Sequence, residues 1–200
     1  TDQSFQIQTA RLSVKNTGKR QKTIERPAFF IESAAEVAQR LDMSPYNPRV
    51  ISSRSLDSVS YDRMCIFQYM IGNTDWSLRS KHNMRMFKPE DGLPIAVPYD
   101  FDYSGAVDAS YAVAHERIPI KNVRERYYMG RCRSEDVIQQ RLVEFRQKKA
   151  AIVSQCDTMP ELEKNDRRAV RQYLESFFEL INNPNHVKQN MVDVCEGQKK

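Results

Sequence analysis

The chain has 200 residues, 40% hydrophobic and 10% aromatic, with 31 basic against 26 acidic side chains and a formal charge of +5. That composition excludes a disordered chain and suffices for one domain with a core, or for a large lobe and part of another. The basic residues are dispersed (Arg11, Lys15, Lys19, Arg20 and Lys22; Arg124, Arg126, Arg131 and Arg133; Arg167, Arg168 and Arg171), which makes nucleic acid a poor candidate partner and leaves an anionic small substrate such as a nucleotide open.

Phe5–Gln8 and Leu12–Val14 alternate as strands do, and Asn16-Thr17-Gly18-Lys19 has turn chemistry. Ala28–Glu32 reads as a short buried strand, so an antiparallel hairpin is expected over the first thirty or so residues. Ser33 with Glu36 is a capping-box pattern for a helix to about Leu41. Pro45 and Pro48 then break the chain, and residues 43–56 read as a linker. Asp57 opens a helix with Met64, Phe67, Met70 and Ile71 at helical spacing, ended by Gly72. Met84–Phe87 and Ile95–Val97 read as a strand pair across Lys88–Pro94. A turn and short helix are expected over Pro119 and Lys121–Met129. Ser134 starts a long helix through Ile152, and Pro160 starts another through Ile181. Asn183-Pro184 has the cap and first-turn proline of a last helix. No apolar run is long enough to span a bilayer. Cys65, Cys132, Cys156 and Cys195 lack metal-ligand spacing, and Cys65 reads as a buried small hydrophobe.

The stretch Ile71–Gly105 carries the chemistry. A polar knot, Gly72-Asn73-Thr74-Asp75 and then His82-Asn83, follows an apolar helix. A short apolar strand, Ile95-Ala96-Val97-Pro98-Tyr99, delivers Asp100 and Asp102. Kinase-type phosphoryl transfer needs a carboxylate to orient a hydroxyl, with Asn and Asp oxygens to hold Mg²⁺. Helix, Asp75, Asn83, strand, strand, Asp100 is the order in which protein kinases place those groups. Asp75 read alone divides evenly between catalysis and a turn role after the helix. Asp100 and Asp102 have the plainer reading of a turn closed by Gly105, but two acids beside an aromatic favour a site. His82 reads as orienting a neighbour by hydrogen bonding, Trp76 as packing, and Tyr99 and Phe101 as core.

Phe67–Asn83 followed by Val97-Pro98-Tyr99-Asp100-Phe101-Asp102 resembles the spore-coat CotH-like protein kinases, which pair Gly-Asn-x-Asp…His-Asn with a strand ending Pro-aromatic-Asp-x-Asp. HipA-like and phosphoinositide kinases carry a similar order. Pro27–Glu32 looks like the family's approach to the inter-lobe hinge. The resemblance covers about residues 5–108 and implies an α+β, protein kinase-like fold. On it, residues 1–42 are part of a small-lobe sheet with its helix, 43–56 a linker, and 57–200 a mainly helical lobe with an embedded β-hairpin. It implies ATP and Mg²⁺ as cofactors, a hydroxyl acceptor (a protein in the family's case), and an extracytoplasmic setting. Asp75 would be the catalytic acid, Asn83 and Asp100 the cofactor and metal ligands, and Asp102 a second acidic contact. Glu32 and its neighbours would lie near the adenine through backbone groups.

Two departures stand out. Asp75 to Asn83 spans eight positions against about five in the protein-kinase loop, so Leu78–Lys81 must bulge outward. There is also no Gly-rich phosphate loop and no evident Lys–Glu pair, Lys15 and Lys22 reading as solvent-exposed beside a turn. The expectation is therefore the C-terminal part of a longer kinase-like protein or a diverged member, with little activity alone. The alternative is a pseudokinase or structural binding module without catalysis.

Overall fold

A computed structural model describes residues 2–18, 23–159 and 162–194. The expected roles of Lys19, Arg20 and Lys22, of Pro160 as a helix start, and of Cys195 lie outside the described residues. The protein is α+β, with two small antiparallel sheets and a larger helical part.

Strands β1 (Ile7–Lys15) and β2 (Thr23–Ile31) pair in register from Ile7–Ile31 to Lys15–Thr23. The ribbon is almost wholly exposed, with Phe30 at 72% and Phe29 at 62%, which corrects the expectation of a buried strand at 28–32. Hydrophobic alternation identifies a strand, but only a covering layer buries it.

Helix α1 (Ala34–Arg40) starts at the expected capping box: the Glu36 amide donates to Ser33 Oγ, and the Ser33 amide donates to Glu36 Oε2 at 2.7 Å. Residues 43–56 are more than a connection. They contain β3 (Ser44–Pro45) and a 3-10 turn at Ser53–Ser55. β3 pairs with β4 (Met84–Lys88), which pairs with β5 (Ile95–Pro98), giving the order β3-β4-β5. Ile95 and Val97 pack with Phe87 against Val37 and Ala38 of α1. Ala96, Met84 and Met86 instead join the core around α2 (Ser58–Ile71). A hairpin covered on both faces accounts for the unbroken apolar run 95–97.

α2 is the axis of the fold, with ten of its 14 residues buried, the pattern of a helix surrounded by protein. Asp57 caps its start by accepting from the Ser60 amide, and Gly72 ends it at φ +66°. A Cβ at Gly72 would strike the Tyr173 hydroxyl, so this position needs glycine on two grounds. Helices α3 (Glu135–Gln147) and α4 (Lys149–Ser154) are separated by a break at Lys148 in the expected long helix. α5 (Lys164–Ile181) applies Tyr173, Leu174, Phe177, Phe178 and Ile181 to the core. α6 (Pro184–Val187) begins at Asn183, whose side chain accepts from the Asn185 and His186 amides. No helix forms over 121–129. That segment is held by side chains: Arg126 donates to the Met70 and Tyr173 carbonyls and to Ser176.

A buried carboxylate ties α2 to the later chain. Asp62 is 1% exposed, and Arg133 donates to it, with Arg131 and Arg141 at 3.6 and 3.5 Å. Cys65 and Cys156 are buried free thiols, and Cys132 is disulfide-bonded. Among the described residues no helix is long and apolar enough to cross a membrane.

Candidate functional site

The β4–β5 hairpin is what gathers the polar residues. Asn83 immediately precedes β4 and Tyr99 immediately follows β5, and Met84 pairs with Pro98. The Tyr99 amide donates to the Asn83 carbonyl at 3.1 Å, so Asn83 and Asp100 stand at one end of the hairpin. Both have positive φ, +54° for Asn83 and +60° for Asp100. Asn and Asp tolerate that region better than other side chains, and such backbone often marks a functional position.

Asp75 arrives from the other side, at the end of the loop leaving α2. Asn73 supplies the turn chemistry there: its Oδ1 accepts from the Asp75 amide at 3.0 Å, and its Nδ2 donates to Gln68 Oε1 at 3.0 Å. The Asp75 carboxylate is turned to other partners. Its Oδ1 lies 3.0 Å from His82 Nε2, and its Oδ2 accepts from Asn83 Nδ2 at 2.9 Å. Asn83 Nδ2 also donates to the Asp75 carbonyl at 2.8 Å. Both carboxylate oxygens are thus fixed in direction, and Asn83 uses its Nδ2, not its amide oxygen, to do so.

The eight-residue spacing is absorbed as a small hairpin. Ser77 and His82 exchange backbone hydrogen bonds, and Leu78–Lys81 form its loop. Lys81 anchors that loop by donating to Asn47 Oδ1 and the Pro48 carbonyl. His82 and Asn83 are thereby returned to Asp75 despite the longer segment.

Asp100 and Asp102 complete the group. The Asp100 carboxyl is pushed up from the ordinary carboxylate range by partial desolvation first. Asp102, by its charge and a hydrogen bond, and then the charge of Asp75 act in the same direction, opposed by His82. Asp102, Asp75 and His82 are thus all near enough for their charges to be felt at Asp100. Phe101 between the acids packs edge-on against Phe67 at 5.5 Å, anchoring the turn to α2. Tyr99 is half-buried against Phe5, with the Arg85 guanidinium 4.9 Å from its ring centroid. Trp76 is buried, as a packing role requires.

Glu32 stands apart from these contacts. Its carboxylate accepts from Arg40 and the Gln6 amide, and its own amide donates to the Gln6 carbonyl. Those bonds tie the ribbon to α1 and the N-terminal segment.

Among the described residues no group of three or more His, Cys, Asp or Glu is arranged to hold a metal ion by itself. Mg²⁺ does not require one, since it commonly takes one or two carboxylates and completes its shell with phosphate and water.

A cavity of about 560 Å³ opens beside Asp75, lined also by Thr74, Tyr103 and the segment Val113–Arg117. Sequence reading missed this wall because 103–117 has no regular pattern. Its base is pinned by Arg124, which donates to Asp108 and the Gly105 carbonyl. The Gly105 and Ala106 amides bond back to the Gly72 and Ile71 carbonyls. No family model, curated protein or solved structure matches the chain.

Proposed function

We propose that the protein is an atypical kinase-like phosphotransferase, moving a phosphoryl group from Mg²⁺–ATP to a hydroxyl acceptor. The observation that carries this reading is the single cluster of Asp75, His82, Asn83, Asp100 and Asp102, drawn from two loops at one end of one hairpin. In this reading Asp75 faces the cavity, orients the acceptor hydroxyl and takes its proton as the oxygen–phosphorus bond forms and ADP leaves. Asn83 and His82 hold its two oxygens so that this geometry is present before the acceptor arrives. Asp100, Asp102 and the Asn83 oxygen would hold Mg²⁺, which would supply neutralisation of phosphate charge. The order of these residues along the chain is the kinase order, which supports the CotH-like resemblance. Disulfide-bonded Cys132 accords with an oxidising, extracytoplasmic setting.

The second reading, a pseudokinase or binding module, is favoured by one feature. The chain lacks a Gly-rich phosphate loop, and positioning supplies most of the catalysis in phosphoryl transfer. Calorimetric titration with Mg²⁺–ATP tests the first reading: the wild type should bind, and Asp100→Ala should lose at least about tenfold in affinity, a difference of roughly 1.4 kcal/mol. Binding unchanged in Asp100→Ala would refute the assignment.

A further inference from the structure

The β1–β2 ribbon has two strands, and among the described residues no third strand joins it. Its two edges differ. Just beyond the register, the Glu32 amide donates to the Gln6 carbonyl at 3.0 Å. Bonded pairs alternate along an antiparallel ladder, so Gln8–Phe30, Ala10–Ala28, Leu12–Arg26 and Val14–Ile24 bond inward. The odd-numbered residues of both strands turn their backbone groups outward. On β2 that row is interrupted by Pro27, which has no N–H to offer. On β1 the row from Ile7 to Lys15 is complete.

Side chains and charge decide what fits this edge. One face of β1 carries Arg11 and Lys15, and the other Ala10, Leu12 and Val14, with Leu12 53% and Val14 50% exposed. Arg11 reaches Glu25 at 3.5 Å, yet its side chain stays 79% exposed. Of the chain's 31 basic and 26 acidic side chains, residues 11–26 hold six and one, so the rest of the chain is balanced. A second copy joined along this edge would bring Arg11 and Lys15 of both copies to one face, where like charges repel. A nucleic-acid backbone would accept from the outward amides, but its phosphates offer no donor to the outward carbonyls and no apolar surface to Leu12 and Val14. An extended acidic peptide satisfies the backbone, the charge and the apolar face together. We propose that the outer edge of β1 takes an acidic, extended segment of a partner protein by strand addition. Its acidic side chains lie beside Arg11 and Lys15, and its apolar ones beside Leu12 and Val14.

The test is titration of the ¹⁵N-labelled full chain with an acetylated and amidated peptide of alternating glutamate and valine. The peptide should shift the amides of Thr9, Arg11 and Ser13 and slow their hydrogen exchange, leaving those of Glu25 and Phe29 unchanged. A double variant, Arg11→Glu with Lys15→Glu, should bind it about tenfold more weakly. That variant should instead bind a peptide of alternating lysine and valine, which the wild type should not. Both substitutions are at exposed positions, and unchanged spectra elsewhere show that the variant is folded. Methylating the peptide's backbone amides should abolish binding by the wild type. Equal affinity for the methylated peptide overturns strand addition, because charge alone would then hold it. Absence of binding to the glutamate–valine peptide overturns the proposal outright. Binding to a DNA duplex in preference to the peptide overturns it in favour of nucleic acid. Dimerisation that slows exchange at Thr9 without peptide overturns it in favour of a second copy.

Discussion

At the scale of single residues, the site pays for its arrangement in stability. Asp100 stands at positive φ, and its carboxylate is partly desolvated and faces like charge on Asp102 and Asp75. Its folded-state carboxyl ionises at higher pH than in the unfolded chain, so the folded state binds the proton more tightly. The resulting stabilisation is present below the ordinary carboxylate range and is lost as pH rises through the folded value. Asp100→Asn removes both the desolvation of the charge and the repulsion. It should melt higher than the wild type at pH 7, by up to about 2 °C given the solvent screening. The difference should close as pH falls below the carboxylate range. A lower melting temperature for Asp100→Asn at pH 7 would show that the charge is stabilising there. The sequence made Asp75, Asn83 and Asp100 visible because Asp and Asn after a helix and after a strand are chemically conspicuous. The cavity wall at 113–117 had no such signal, since it lies in an irregular stretch.

At the scale of elements, α2 and the β4–β5 hairpin position everything at the site. Their starts and stops were legible because they follow local rules: Asp57 and Gly72 bound the helix, and Ser33 with Glu36 bound α1. The break at Lys148 and the missing helix at 121–129 were not legible. In the second case tertiary hydrogen bonds from Arg126 decide the conformation, and these depend on α5, some fifty residues later. The burial of Asp62 was likewise invisible, because its place on α2 shows nothing of the three arginines that converge on it from 131–141. Removing one partner of a buried ionic network strands the others. Asp62→Ala should therefore cost about 3–5 kcal/mol in urea unfolding, far above a surface substitution. A loss below about 1 kcal/mol would mean that water already solvates those guanidinium groups.

At the scale of the whole molecule, stability is concentrated in the helical core and the hairpin wedged against it, while the β1–β2 ribbon packs on little. The α+β class could be read from alternating segments giving way to helical ones. The exposure of the ribbon could not, because alternation is the same whether or not a layer covers it. The polar cluster depends on a long-range event, the closing of one hairpin end against the loop after α2, and that event joins its members. Titrating the ¹⁵N-labelled protein with Mn²⁺ tests this most directly, because a paramagnetic ion broadens only nearby resonances. The backbone amides of Asp75, Asn83, Asp100 and Asp102 should broaden first and together, at substoichiometric Mn²⁺, while those of Leu12 and Ile181 stay sharp. Broadening scattered over unrelated acids, with those four amides unaffected, would contradict a shared cation site.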